Sequence, residues 1–163
     1  MILFEKALQI VLDSARETGI ENVDIDLALN RILAQDVISD MDMPPFNKSA
    51  MDGYACRRED ILNELGVVET IPAGYVPRKS IHKNECAKIM TGAIVPPGAD
   101  CVIKVEDTEN ITTDTIRFTV KALSRTNICK RAENIKKDDI VLRKGEILKP
   151  QHIAILAMVG CTT

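Results

Sequence analysis

The sequence predicts an α+β fold that is mainly β, divided into two subdomains with short helices near both ends. Three observations lead there. Short alternating or β-branched runs separated by Gly- and Pro-containing turns fill the middle of the chain. Helical spacing of apolar residues is confined to the two ends. The stretch Asp42-Met43-Pro44-Pro45-Phe46-Asn47 is a stiff extended crossing suited to a subdomain hinge. The 163 residues are 45% hydrophobic and 28% charged, enough for a chain of this size to bury about two-thirds of its unfolded surface. That composition excludes an intrinsically disordered chain.

The elements follow in order. Leu3, Ala7, Ile10 and Val11 recur at helical spacing, and Gly19 stands where a C-terminal cap belongs. Residues 23–27 alternate like a strand, 28–31 suit a single turn, and 32–38 read as extended. Beyond the proline crossing, residues 51–56 read as a strand, 57–65 as a short helix, and 67–71 as extended, ended by Pro72, Gly74 and Pro77. Residues 85–90 read as one or two helical turns. Pro97-Gly98 predicts a type II turn, because Pro presets the first central φ and Gly takes the positive second. Residues 101–105 and 115–120 predict a hairpin, and residues 140–142 and 146–148 flank a tight turn at Lys144-Gly145. Pro150 can open a last helix running to Met158, before Gly160.

Charge and cysteine usage narrow the partners. The net charge is 21 − 24 = −3 and aromatic residues are 3% of the chain, so neither the cationic surface nor the stacking platforms of a nucleic-acid binder are expected. The longest apolar stretch, residues 153–159, is far below the roughly 18 residues of a membrane span. The five cysteines, Cys56, Cys86, Cys101, Cys129 and Cys161, never form a Cys-x-x-Cys pair; reduced thiols in a cytoplasm are expected. The N-terminal Met-Ile-Leu-Phe-Glu-Lys lacks the basic region and apolar run of a secretory signal.

The densest candidate for chemistry is Ser49-Ala50-Met51-Asp52-Gly53-Tyr54-Ala55. Small residues and a glycine permit a tight backbone that presents one acid at its tip. Asp52 there suits Mg²⁺, which favours one or two carboxylates completed by substrate phosphates and water; an Asx-turn closing on its own backbone is the structural alternative. Thr91-Gly92-Ala93 suits a backbone nest with a hydroxyl for an anion, or simply the end of an element. Lys130 and Arg131 beside Glu133 offer anion contacts, or a solvated surface run. His82 and Cys86 would share one face of a helix, but two ligands do not close a metal site. There is no Ser-His-Asp arrangement, P-loop or dinucleotide fingerprint.

Taken together, residues 44–55 (PPFNKSAMDGYA) and 88–107 (KIMTGAIVPPGADCVIKVED) resemble the MoeA family. These are molybdopterin molybdenumtransferases, related to the C-terminal portion of gephyrin. A looser match runs from Asn127-Ile128 through Glu133-Asn134-Ile135 to Gly145 and the terminal helix. The resemblance covers essentially the whole chain and matches the N-terminal region of the family.

The resemblance implies a fold of two β-rich subdomains with branched sheets, one inserted in the other: residues 1–42 with 122–163, and the insert 43–121. It implies insertion of molybdate into adenylylated molybdopterin with Mg²⁺ help and release of AMP. It also implies a homodimer, with this region forming one wall of the cleft. Asp52 would be the essential acid and metal ligand, and Thr91 the hydroxyl of the TGA turn. Ser49, Gly53, Gly92, Lys130, Arg131 and Glu133 would help to bind the substrate. The pterin-binding α/β domain of the family has no counterpart here, so this chain alone is expected not to catalyse the transfer. A non-catalytic dimerisation or interaction module of the same fold is the alternative. Because the first helix packs on that further domain in the family, Leu3, Ala7, Ile10 and Val11 are expected to be partly exposed or to find a neighbouring chain. In the third match one base of the family's basic run, its glycine and its acid are replaced by Cys129, Ala132 and Asn134; if the glycine needs positive φ, Ala132 strains the turn or reshapes it.

Overall fold

The computed structural model describes residues 2–16, 18–119 and 125–163. In chain order the elements are α1 (Phe4–Ser14), a 3-10 turn (Ile25–Leu27), β1 (Val37–Ile38), β2 (Lys48–Ser49), β3 (Gly53–Cys56), a 3-10 turn (Arg58–Asp60), β4 (Glu64–Ile71), β5 (Glu85–Ile89), β6 (Cys101–Lys104), a 3-10 turn (Val105–Asp107), β7 (Thr108–Asn110), β8 (Thr115–Phe118), β9 (Ile128–Cys129), β10 (Ile140–Leu142) and α2 (Pro150–Met158). The fold is therefore mainly β with two helices near the ends. It divides into two compact units, Met1–Val37 with Leu142–Thr163, and Ile38–Val141.

In the first unit, α1 is amphipathic, yet none of its residues is buried. Leu3, Phe4 and Val11 are 75%, 75% and 66% exposed, which matches the expectation for this helix. It ends at Ser14 rather than at Gly19. The Ser14 hydroxyl donates back to Ile10 O (2.7 Å), a local bond that competes with helix continuation. Residues 25–27 form a 3-10 turn where alternation predicted a strand: Ile25 N donates to Thr162 O, and Leu27 N to Asp24 O. The arm after the Lys144-Gly145 turn does not pair with residues 140–142. It pairs with residues 30–33 instead, through Asn30 N to Leu148 O, Leu148 N to Arg31 O and Leu33 N to Glu146 O. Helix α2 starts at Pro150, as its missing N–H favours, and anchors Leu156 in the interior.

The second unit is built on a six-stranded sheet ordered β6-β3-β5-β4-β8-β7. Strand β3 is antiparallel to both β5 and β6, with Gly53 opposite Ile89 and Lys104, while β4 and β5 run parallel. Both faces of the sheet are covered. Tyr54, Cys56, Leu65, Cys86, Cys101, Ile103, Ile116 and Phe118 form one cluster. Ala55, Ile71, Ile81, Ala87, Ile89, Ala93, Val102 and Ile128 form the other. Burial on two faces explains why β5, Glu-Cys-Ala-Lys-Ile, is a strand where its sequence reads as a helical turn: three of its five residues are buried between neighbouring strands, and sheet packing overrides so short a local preference. It also separates His82 from Cys86, which is buried within the sheet, so the helical metal pair does not exist. The expected hairpin is likewise replaced. Strand β6 pairs with β3, and β8 pairs with β4 and β7; residue 120 of that expectation lies outside the described residues. Ala99 N donates to Pro96 O, and Gly98 has φ 87°, as the Pro97-Gly98 turn requires. Among the described residues no helix is long and apolar enough to cross a membrane.

Two strands outside the main sheet, β2 and β9, pair antiparallel, Lys48 with Cys129 and Ser49 with Ile128. The following turn puts Ala132 at φ 60°. The other non-glycine residues with positive φ are Asn30, Asn84, Asn127 and Asp138, types that tolerate the left-handed region, whereas alanine does not. Replacing Ala132 by Gly is expected to raise the unfolding free energy by up to about 1 kcal/mol, the left-handed penalty less the added chain entropy; urea unfolding of the two proteins measures it. All five cysteines are free thiols. Burial lifts Cys86 up to about 12, and Cys56 is raised by its contact with Cys101 (Sγ to Sγ 3.6 Å) and by burial. Under native conditions a thiol reagent should modify Cys129 and Cys161, which are only half-buried, while Cys56, Cys86 and Cys101 react only on unfolding. Five fast equivalents would contradict this.

Candidate functional site

Three chain segments meet at one end of the sheet in the second unit. Ser49 is buried (1% exposed) and exchanges backbone bonds with the neighbouring turn: Ser49 N donates to Ala93 O, and Gly92 N to Ser49 O. Its hydroxyl donates to Met51 O at 2.6 Å, which folds residues 49–51 into a compact bend. The chain then enters β3 at Gly53. A Cβ there would lie 1.9 Å from Ile103 O, so only glycine admits β6 at this distance. Asp52 O accepts from Val105 N. These bonds fix the backbone on both sides of Asp52 and leave its side chain at the exposed sheet end.

The opposing segment is a reverse turn. Ala93 N donates to Met90 O, and Gly92 has φ 82°, the positive value that the third position of a type II turn requires. The turn aims both donors of Thr91 at the acid: the backbone N–H and the Oγ1 hydroxyl each reach Asp52 Oδ1 at 2.7 Å. The hydroxyl first, and then the backbone N–H, hold the Asp52 carboxyl below its ordinary value. Asp52 is therefore ionised at neutral pH, with both bonds on one oxygen. Among the described residues no donor reaches Oδ2. The expected alternative, an Asx-turn, is replaced by a bond between segments 39 residues apart.

Of the predicted site residues, Asp52, Thr91, Ser49, Gly53 and Gly92 thus come together. Lys130, Arg131 and Glu133 form a separate turn. Lys130 N donates to Glu133 Oε2 (2.7 Å) and Glu133 N to Lys130 O, so the Glu133 carboxylate caps its own turn. Arg131 N donates to Asn47 Oδ1, and its guanidinium Nε to Asp42 Oδ2 at 2.6 Å. Asp42 also accepts from Lys137 N; that bond first, then Arg131, lowers its pKa. Asp42 and Asn47 were not singled out from the sequence. The signal available was a polar residue at each end of the Pro44-Pro45 crossing, a place where side chains cap neighbouring backbone. Burial first, then Glu133, raises the Cys129 thiol. No group of three or more His, Cys, Asp or Glu side chains suited to a metal occurs among the described residues. Asp52 can offer Mg²⁺ its Oδ2 as a single ligand, the remainder being left to substrate and water.

Residues 2–160 match the family described as MoeA N-terminal region (domain I and II). A molybdopterin molybdenumtransferase of Staphylococcus epidermidis is 41% identical, covering 99% of this chain and 40% of its own length. One from Staphylococcus aureus is 34% identical over 96% of the chain and 39% of its own length. The crystal structure of the molybdopterin biosynthesis moeA protein from Pyrococcus horikoshii OT3 superposes with a TM-score of 0.90 at 35% identity, covering 99% of this chain and 45% of that one. The chain spans about two-fifths of the length of the curated relatives it matches. In sequence and in fold, the chain belongs to the MoeA family, as its N-terminal region.

Proposed function

We propose that this chain forms one wall of the cleft in which molybdate is inserted into adenylylated molybdopterin during molybdenum cofactor biosynthesis, the remaining parts of the transferase completing the site. The observation that carries this reading is the pair of hydrogen bonds that Thr91 donates to Asp52 Oδ1. It joins the SAMDGYA and TGA segments, which carry the resemblance to the family, around one fixed, ionised acid at an open edge.

The chemistry asks little of the protein by way of covalent catalysis. The substrates are a molybdate dianion and a pterin dithiolene carrying an adenylyl group, so the task is to position anions and manage their charge. Asp52 Oδ2 would hold Mg²⁺, which would neutralise phosphate charge on the leaving AMP. Thr91 holds Asp52 in a single orientation and keeps it deprotonated. Gly92 N–H is spent on Ser49 O, so the nest expected at the TGA turn acts on Asp52 through Thr91 rather than on a free anion. Lys130, Arg131 and Glu133 shape the adjoining turn, leaving the Lys130 ammonium available to an anion. A homodimer, with the cleft completed by the partner, belongs to this proposal.

A second reading is favoured by α1. An 11-residue amphipathic helix with no buried residue suits a dimerisation or interaction module of the same fold. The two readings separate on Asp52. In the full-length transferase, Asp52→Asn should lower molybdenum insertion by at least a hundredfold with unchanged folding; retained insertion would leave only the interaction module.

The acid also has a pH signature in the 163-residue chain. Its folded pKa lies below the ordinary value of 3.8, so its share of stability is complete above that value and is lost as the pH falls through the folded pKa. Carbon-detected titration should place the Asp52 carboxyl below 3.8. Thr91→Val, which removes the hydroxyl bond and keeps the backbone one, should move it part of the way back up. An unshifted carboxyl in the parent chain would contradict the paired hydrogen bonds.

A further inference from the structure

The sheet places a second, unassigned group of side chains beside the Asp52–Thr91 pair. Strand β3 runs antiparallel to β5, with Gly53 opposite Ile89, while β4 runs parallel to β5, with Ile71 opposite Ile89. The start of β3 and the ends of β5 and β4 therefore emerge at one edge of the sheet, and Met90 N donates to Ile71 O across it. Asp52, Thr91 and the start of the loop of residues 72–80 share this edge, and the loop then turns back beside Glu69. With β5 between them, the roots at Asp52 and Pro72 are about 10 Å apart, two strand spacings.

The loop is held in shape. Tyr75 N donates to Pro72 O, closing a turn with Gly74 at φ 82°. The Glu69 carboxylate accepts from both Arg78 N and Lys79 N, at 3.1 to 3.2 Å. The Lys79 ammonium is tied to Val68 O (2.8 Å). What remains free is a cation–π pair: the Arg78 guanidinium lies over the Tyr75 ring, 5.7 Å from its centroid, and Tyr75 is 48% exposed. A cation on one face polarises an aromatic surface and leaves the other available for stacking, while the guanidinium edge keeps its donors for an anion.

We propose that Tyr75 and Arg78 form a ligand-binding platform at the rim of the Asp52–Thr91 site, for a planar heteroaromatic ring carrying an anionic group. This rests on the transferase reading, whose substrate carries two such rings, a pterin and an adenine, each linked to phosphate. The loop would grip one of them while Asp52 faces the reacting end.

The 163-residue chain itself provides the test. It has no Trp and two Tyr, of which Tyr54 is buried, so Tyr75 ring and Arg78 Nε–H resonances report on the platform directly. AMP is titrated in one series, pterin-6-carboxylate in a second and inorganic phosphate in a third. Saturable shifts at both residues are expected with AMP or with the pterin, and the responding series identifies the ring. Affinity should fall at least tenfold in Tyr75→Ala and in Arg78→Ala, both exposed positions whose amide spectra will show an intact fold. Arg78→Lys should also weaken binding, because an ammonium does not stack. No shifts with either aromatic probe, equal affinity in the variants, or the same response to phosphate alone would overturn the platform. Mn²⁺ broadening at Asp52, followed in the same samples, tests the transferase reading separately: lost broadening with intact probe binding defeats the metal role of Asp52 and leaves the platform standing.

Discussion

Strand β3 can lie between β5 and β6 only because Gly53 has no side chain. A Cβ at that position would stand 1.9 Å from Ile103 O, inside any tolerable contact, so β6 could not keep its present approach. Much of the second unit follows from that approach. With β6 in place, Tyr54, Ala55 and Cys56 are covered by strands on both sides and by a cluster on each face, and all four residues of β3 are buried. Such a strand has no freedom of register, since a shift by one residue would exchange its two faces. Asp52, one residue before Gly53, inherits that rigidity. Its carbonyl is held by Val105 N, and the exposed carboxylate projects from one of the most tightly packed elements of the unit.

Rigid placement explains how an exposed acid can hold a defined geometry. A surface carboxylate ordinarily gains little from a single bond, because water competes for it. Here the backbone of Asp52 is fixed by β6, and the backbone of Thr91 by the turn closed between Met90 and Ala93. The two donors of Thr91 are thus arranged before the acid is met, and little further entropy is lost in making the pair of bonds. The same frame carries the loop of residues 72–80, rooted at Ile71 and braced by Glu69. Sites placed on the ends of packed strands gain precision without being buried.

Local chemistry was legible in the sequence where it is self-contained. Pro150 starts α2 and Pro97-Gly98 makes its turn because each depends on its own φ angle. Asp52 and Thr91 were recognisable as separate candidates, since small residues and glycines mark both segments. Their bond was not legible, because it spans 39 residues and rests on pairings that no local pattern encodes. The same limit governs β5, whose five residues carry no decisive period and become a strand through β3 and β4. It governs β6 as well, which pairs with β3, Cys101 opposite Cys56, 45 residues away in sequence, rather than with the nearer β8. Helix α1 was legible in its apolar spacing, but it ends where Ala15 turns extended, before the glycine beyond it.

The turn at residues 130–133 shows how to weigh charged residues that motif logic treats alike. Glu133, Arg131 and Asp42 look as chemical as Asp52 in the sequence, yet each is engaged within its own neighbourhood: Glu133 accepts from Lys130 N in its own turn, Arg131 pairs with Asp42, and Asp42 accepts from Lys137 N as well. Asp52 differs because its two bonds converge on one oxygen, which secures the group and leaves the second oxygen for something that is not protein. Asp42, with one oxygen on Lys137 N and the other on the Arg131 guanidinium, is finished as a structural cap. A carboxylate clamped twice through one oxygen, by the hydroxyl and the backbone N–H of a distant residue, is oriented but still open to a ligand, which is what the proposed role of Asp52 requires.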